Sequence, residues 1–254
     1  MAVTIIGIDC AVSPRRTGLA LGVFEKGRAR VEQVVLGETQ DSVIRTVDNW
    51  MARDPARSPH PLIVLDAPLG WPTALARVLP AHQAGAPVDT EANKMFRRLT
   101  DRVTKRETGK LPLDVGADRI ARTARAALEL LQDLRQRTGL EIPLAWKPGP
   151  LDEASAIEVY PAATLKVYGI TNARYKRKRE VEVRREMLEP LRELMDLPDD
   201  ERPMLTNSDA LDAVVCVLAG ADFLRGDVIV PTDLDVARKE GWIWVRSPGR
   251  LFEL

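Results

Sequence analysis

Two stretches of this chain run apolar without alternation and then stop on a carboxylate. Val3-Thr4-Ile5-Ile6-Gly7-Ile8-Asp9 and Leu62-Ile63-Val64-Leu65-Asp66 both read as strands covered on two faces, as in the middle of a parallel or mixed sheet. Pro68 and Gly70 turn the chain out of the sheet directly after the second run. Asp66 is therefore expected at the carboxyl end of a central strand, where open α/β sheets place ligands. Taken alone it reads equally as a cap of the following loop. The matching end of the first strand shifts the reading, because neighbouring strands would set Asp9 and Asp66 side by side. Two carboxylates so placed repel unless a cation or a proton lies between them. A hard divalent ion, Mg²⁺ or Mn²⁺, is the simplest cation for such oxygens.

The chain between these strands alternates instead. Thr17 to Phe24 sets Leu19, Leu21 and Val23 against small Ala20 and Gly22, and Arg28 to Leu36 turns Ala29, Val31 and Val35 inward. With Gly27 as the turn, the first three strands form an antiparallel meander. Val43, Ile44, Val47, Trp50 and Met51 then recur at helical spacing, with Thr39 or Asp41 as cap. The order β-β-β-α-β returns the fourth strand parallel beside the first.

From Gly70 to Gly149 the pattern changes. Pro72 to Pro87 reads as loop with at most one short helix, and Phe96 to Lys110 is dense in charge. An amphipathic helix runs through Ala117, Ile120, Ala121, Ala124, Leu128, Leu131 and Leu134, with Asp114 as cap and Gly139 as stop. Residues 70–150 read as a helical and loop insertion in one domain spanning 1–254. A strand at Ala154 to Tyr160 is broken by Pro161, and a small helix follows from Ala162 to Tyr168. Ala173 to Met195 is expected to be helical, kinked or split at Pro190. A last long helix starts at Asn207 or Ser208 and runs to near Leu224, followed by a short strand, Val228 to Val230, and the tail Gly241 to Val245.

Composition narrows the chemistry. The 37 basic residues equal the 37 acidic ones, which excludes a basic arm or acidic tail as the main theme but leaves room for a local basic groove. Cys10 and Cys216 are too few for a disulfide framework or zinc site, and His60 and His82 are too few for histidine chemistry. Carboxylates are left. Without a recognisable signal peptide or membrane span, cytoplasmic is the default expectation.

The long helix supplies the third acidic element, with Asp209 and Asp212 three apart on one face. Asp209, in the first turn, also reads simply as a charge that favours the helix dipole. Asp212 enters a stretch that is apolar on all sides, where a carboxylate is costly unless paired or bound to metal. Glu158 lies on the fifth strand and joins the candidates if that strand lies beside the Asp66 strand; otherwise it faces out from an edge.

These residues resemble a family. Ile-Gly-Ile-Asp on the first strand, Asp-Ala-Pro-Leu-Gly-Trp-Pro after the fourth, Glu-Val-Tyr-Pro on the fifth and Asp-Ala-Leu-Asp-Ala on the late helix look like the predicted RNase H-like nucleases catalogued as domain of unknown function 429. Gly-Trp-Ile-Trp-Val looks like that family's closing strand, and Arg98-Leu99-Thr100-Asp101 like its Arg-x-x-Asp element. The resemblance implies an α/β fold: an RNase H-like mixed sheet, a three-strand antiparallel meander plus parallel strands, flanked by helices. It implies catalytic carboxylates at Asp9, Asp66, Glu158 and Asp212 around Mg²⁺ or Mn²⁺, with Asp209 as a further candidate ligand. Two-metal phosphodiester hydrolysis would use Asp9 as the bridging ligand, while Glu158 binds the second metal or orients the water. Lys176 to Arg179 match the family's lysine-rich element only loosely and take no assigned role.

Two basic stretches are candidates for holding phosphates. The first contains Arg97, Arg98, Arg102, Lys105 and Arg106, of which the four arginines are the substrate-phosphate candidates. The second, Arg174 to Arg185, is interleaved with glutamates and reads as a solvated helix face. Aromatic content of 5 % gives no stacking stripe, so nucleic acid held through its phosphates is the expected partner, as DNA, RNA or a nucleotide. A non-catalytic scaffold on the same fold is the alternative. An actin-like or sugar-kinase phosphotransferase shares the opening strand but needs two copies of the fold.

Overall fold

The computed structural model describes residues 2–116, 118–177 and 179–250. Ala117 of the expected amphipathic helix and Lys178 of the second basic stretch lie outside the described residues. The order is β1 (Val3–Asp9), β2 (Gly18–Glu25), β3 (Arg28–Leu36), α1 (Gln40–Met51), β4 (Leu62–Asp66), α2 (Thr73–Val78), α3 (Ala92–Phe96), α4 (Leu99–Thr108) and α5 (Asp118–Thr138). It continues with β5 (Ser155–Glu158), α6 (Pro161–Val167), α7 (Val181–Leu194), α8 (Arg202–Thr206), α9 (Ser208–Arg225) and α10 (Leu234–Glu240).

The sheet runs β3-β2-β1-β4-β5. The first three strands are antiparallel, and β4 and β5 run parallel to β1. This is the RNase H-like mixed sheet that the sequence resemblance implies. A single sheet is present among the described residues, where the phosphotransferase alternative needs two.

The unbroken apolar runs are explained by a layer on each side. Ile6, Ile8, Leu19, Leu21, Ile63 and Leu65 meet Val43, Val47 and Trp50 of α1 and Leu130, Leu131 and Leu134 of α5. The opposite face, with Ile5, Ala20, Leu62 and Val64, packs on α9. Residues from α6, α7 and α8, among them Leu165, Leu188 and Met204, cover α9 from outside, so it is apolar all round. Of the segment 70–150, α5 is part of a covering layer, while α2 and α4 gather beside α10 at the carboxyl end of β4. There the Glu240 carboxylate accepts from the backbone N–H of Thr73 (2.8 Å) and of Leu99 (2.6 Å), at the start of two helices.

Helix α9 lies unusually close to the sheet because two positions lack a side chain. A Cβ on Gly7 would stand 2.2 Å from the Ala213 carbonyl oxygen, and one on Gly18 would stand 1.9 Å from that of Asp209. Gly7→Ala is therefore expected to push α9 off β1 and lower Tm by roughly 5 °C or more, as a calorimetric scan would read. An unchanged Tm would show that the helix backbone has slack at this crossing.

Several local expectations shift. A bulge in the β2–β3 ladder, where Leu21 pairs Gln33 but Gly22 pairs Val31, inserts Glu32 as an extra residue. Inward alternation changes phase there, so Val34 is buried and Val35 is exposed. Thr39 caps α1 and Asn207 caps α9. Asp114 does not cap α5, which starts later at Asp118; it pairs instead with Arg97 at 3.2 Å. Helix α7 begins only at Val181 and runs through Pro190, so Ala173 to Arg177, expected to be helical, is loop, as are Arg179 and Glu180. In the tail, Val228 and Ile243 form isolated bridges, Ile243 beside Glu158, rather than ladders. Among the described residues, no helix is long and apolar enough to cross a membrane.

Candidate metal centre

Register and alternation bring the carboxylates together. Asp9 and Asp66 are direct partners across the β1–β4 pair. Each is even-spaced from residues that face α9: Ile5 and Gly7 on β1, Leu62 and Val64 on β4. Both side chains therefore turn toward α9 at the sheet's carboxyl end. Asp212, in the second turn of that helix, meets them. Carboxylate oxygens of Asp9, Asp66 and Asp212 all lie within 4.8 Å of one another. Asp212 is fully buried, while Asp9 and Asp66 are partly exposed to a cleft of about 1020 Å³.

Burial and mutual repulsion make this group costly when every member is charged. Burial first, then the charges of Asp212 and Asp66, push the Asp9 carboxyl well above its ordinary range. Burial, with Asp212 and Glu158 adding to it against the pull of Lys176, raises Asp66 to about 7. Asp212 is raised by burial too, and held back by Lys176 and Tyr175. An acid whose folded-state pKa exceeds its unfolded value binds more protons when folded. It favours the fold below the unfolded value, here 3.8, and loses that contribution as pH rises through the folded one. The metal-free protein is therefore expected to melt several degrees lower at pH 8 than at pH 5, roughly. A Tm that rises over that interval would contradict the clustered charges.

Two neighbours of Asp212 went unassigned from sequence. The Tyr175 hydroxyl, buried, donates to Asp212 Oδ1 at 2.7 Å. The Lys176 ammonium stands 2.7 Å from Asp212 Oδ2. Burial of its tip works against that charge, but Asp212, Asp66 and Asp9 outweigh it and hold the pKa above the ordinary lysine value. Both residues sit on the α6–α7 loop, a stretch without hydrophobic period. The loose lysine-rich match was the one available signal.

Glu158 lines the same cleft but lies outside this carboxylate group, for a reason of register. It pairs with Leu65, one residue before Asp66, so the pleat turns it to the opposite face. There its two oxygens accept from Arg98, at 2.8 and 2.6 Å, and Oε2 also accepts from the Leu69 N–H at 2.9 Å. Glu158 thus anchors the loop after Asp66 and is not drawn into the carboxylate group. Asp209 stays at the rim, 3.6 Å from Arg16, outside that group.

The arginine candidates are also redistributed. Arg98 is buried between Glu158 and Asp101, and it is committed to both. Arg97 pairs with Asp114, and Arg106 with Glu107. Arg102 donates to the Arg97 carbonyl, and Arg97, Arg102 and Arg106 do not line the cleft. The cations that do line it are Arg16, Lys110, Arg119, Arg122, Arg174 and Lys176, besides the committed Arg98. They come from the loop after β1, the α4–α5 connection, the start of α5 and the α6–α7 loop, so four separate segments line the cleft.

A family model described as a protein of unknown function, DUF429, matches residues 7–236. No curated protein matches the chain. Among solved structures, T. thermophilus RuvC in complex with a Holliday junction substrate is similar at 12% identity. The alignment covers 88% of this chain and 96% of that one, with a TM-score of 0.35.

Proposed function

We propose that this chain, which belongs to the DUF429 family, is a divalent-metal-dependent nuclease that hydrolyses phosphodiester bonds. The observation that carries the reading is the convergence of Asp9, Asp66 and buried Asp212 within 4.8 Å, with Asp9 and Asp66 opening onto a cation-lined cleft. The residues fit a hard divalent ion: the donors are carboxylate oxygens, and among the described residues buried Asp212 Oδ2 is met by a cation, the Lys176 ammonium. Asp9, within reach of both others, would be the shared ligand if two metals bind. A bound Mg²⁺ or Mn²⁺ supplies Lewis-acid activation of water and of the leaving oxygen.

The chain's own residues do the remaining work. Tyr175 fixes the Asp212 carboxylate through its hydroxyl. Glu158, held by Arg98, fixes the loop leaving β4 and hence Asp66. Lys110 and Arg122 line the cleft and would offer charge to substrate phosphates, as would Arg16 and Arg174 on exchanging Asp209 and Glu180 for a phosphate. Such contacts read backbone rather than base, so binding is sequence-tolerant and weakens steeply with salt.

The test is hydrolysis of end-labelled single- and double-stranded DNA and RNA with Mn²⁺ or Mg²⁺, against a chelator control. Metal-dependent cleavage is expected. Absence of cleavage together with absence of Mn²⁺ binding by calorimetry would leave the non-catalytic scaffold as the better account.

A further inference from the structure

We infer that Lys176 is a built-in counter-cation that competes with the divalent ion for Asp212, so that metal loading requires its ammonium to leave. The inference rests on the metal reading above. Its basis is the way the lysine is held. The loop backbone is pinned: Arg184, buried, donates from Nε to the Leu205 carbonyl at 2.7 Å, and from a terminal nitrogen to the carbonyls of Arg177 (3.0 Å) and Tyr175. The lysine side chain is not pinned. It is 58% exposed, and only its tip reaches the fully buried Asp212.

The contact itself is of a replaceable kind. At 2.7 Å the ammonium is the charged partner of Asp212 Oδ2, and no other described donor reaches that oxygen. The other oxygen, Oδ1, is satisfied by Tyr175. Asp212 therefore keeps one oxygen anchored by a buried hydroxyl and one whose partner is the tip of a largely exposed side chain. A divalent ion seated among Asp9, Asp66 and Asp212 needs that second oxygen and repels a neighbouring ammonium. An exposed side chain on a fixed backbone can withdraw into the cleft at small cost, where a substrate phosphate offers it a new partner.

Calorimetric Mn²⁺ titration of wild type, Lys176→Met and Lys176→Arg in the absence of substrate tests this. Removing the competitor in K176M is expected to tighten Mn²⁺ binding by about tenfold or more. Metal-free K176M is expected to melt below wild type, because three carboxylates lose their counter-charge, and the difference should vanish at saturating Mn²⁺. K176R keeps the charge and should bind Mn²⁺ no more tightly than wild type. Equal Mn²⁺ affinity in wild type and K176M would overturn the inference and leave the metal site standing. No Mn²⁺ binding in any of the three would overturn both.

Discussion

Asp9→Asn should abolish metal-dependent hydrolysis while making the metal-free protein more stable. Asp9 is paired with Asp66 across the strands, and its carboxylate lies within 4.8 Å of both Asp66 and Asp212. The asparagine keeps the shape but removes the charge that holds the cation. Loss of about a thousandfold in turnover corresponds to about 4 kcal/mol of transition-state stabilisation. The stability change has the opposite sign. At pH 8 the wild-type group carries repulsion that the folded state must bear, and D9N relieves it. As pH falls, the carboxylate group takes up protons, Asp66 through about 7, so the repulsion that D9N relieves fades and its advantage should narrow. A merely structural aspartate would show the reverse, a Tm that falls in D9N at every pH. Undiminished turnover in D9N with Mn²⁺ supplied would end the nuclease assignment.

The second large effect is expected at Arg98→Ala, far from direct contact with the carboxylate group. Arg98 is buried with Asp101 and Glu158, and its guanidinium is the charge that offsets both. It also donates to the Glu240 carbonyl at 3.2 Å, tying α4 and α10 to β5. Removing one partner from a buried ion network leaves uncompensated charge, at a cost of about 3–5 kcal/mol. For a chain of this size that lowers Tm by roughly 10 °C. Burial already raises Glu158 against the restraint of Arg98, so without the guanidinium it should rise further. The deficit of R98A should therefore be larger at pH 8 than at pH 5, because protonated Glu158 no longer needs a partner. Hydrolysis should fall as well, since Glu158 holds the Leu69 N–H in the loop that follows Asp66. A Tm change below about 1 kcal/mol equivalent would mean that solvent screens this network.

The contrast between these residues separates what is local from what is not. Period-2 alternation revealed the meander, and unbroken apolar runs revealed the buried strands β1 and β4. Both signals are written in adjacent residues, because burial on one or two faces dictates side-chain type position by position. The same logic found Asp9 and Asp66 at strand ends and Asp212 in an all-apolar helix, and the structure brings these three together. A carboxylate that breaks an apolar pattern is legible before any partner is known.

What tertiary structure alone decided involves a second segment each time. Glu158 was assigned by its strand, but its face depends on the register of β5 against β4, which no single strand encodes. Arg98 reads as a phosphate candidate in a charged run, and as the start of the Arg-x-x-Asp element, until the fold sets it against Glu158 as that residue's partner. Val35 turned outward because the bulge sits in a pair of strands, not in one. Tyr175 and Lys176 lie in a loop with no period, and only the path of the α6–α7 connection carries them to Asp212. Side-chain periodicity records which residues share a face; it holds no information on which other segment that face will meet, and the cations of this site were fixed by that meeting.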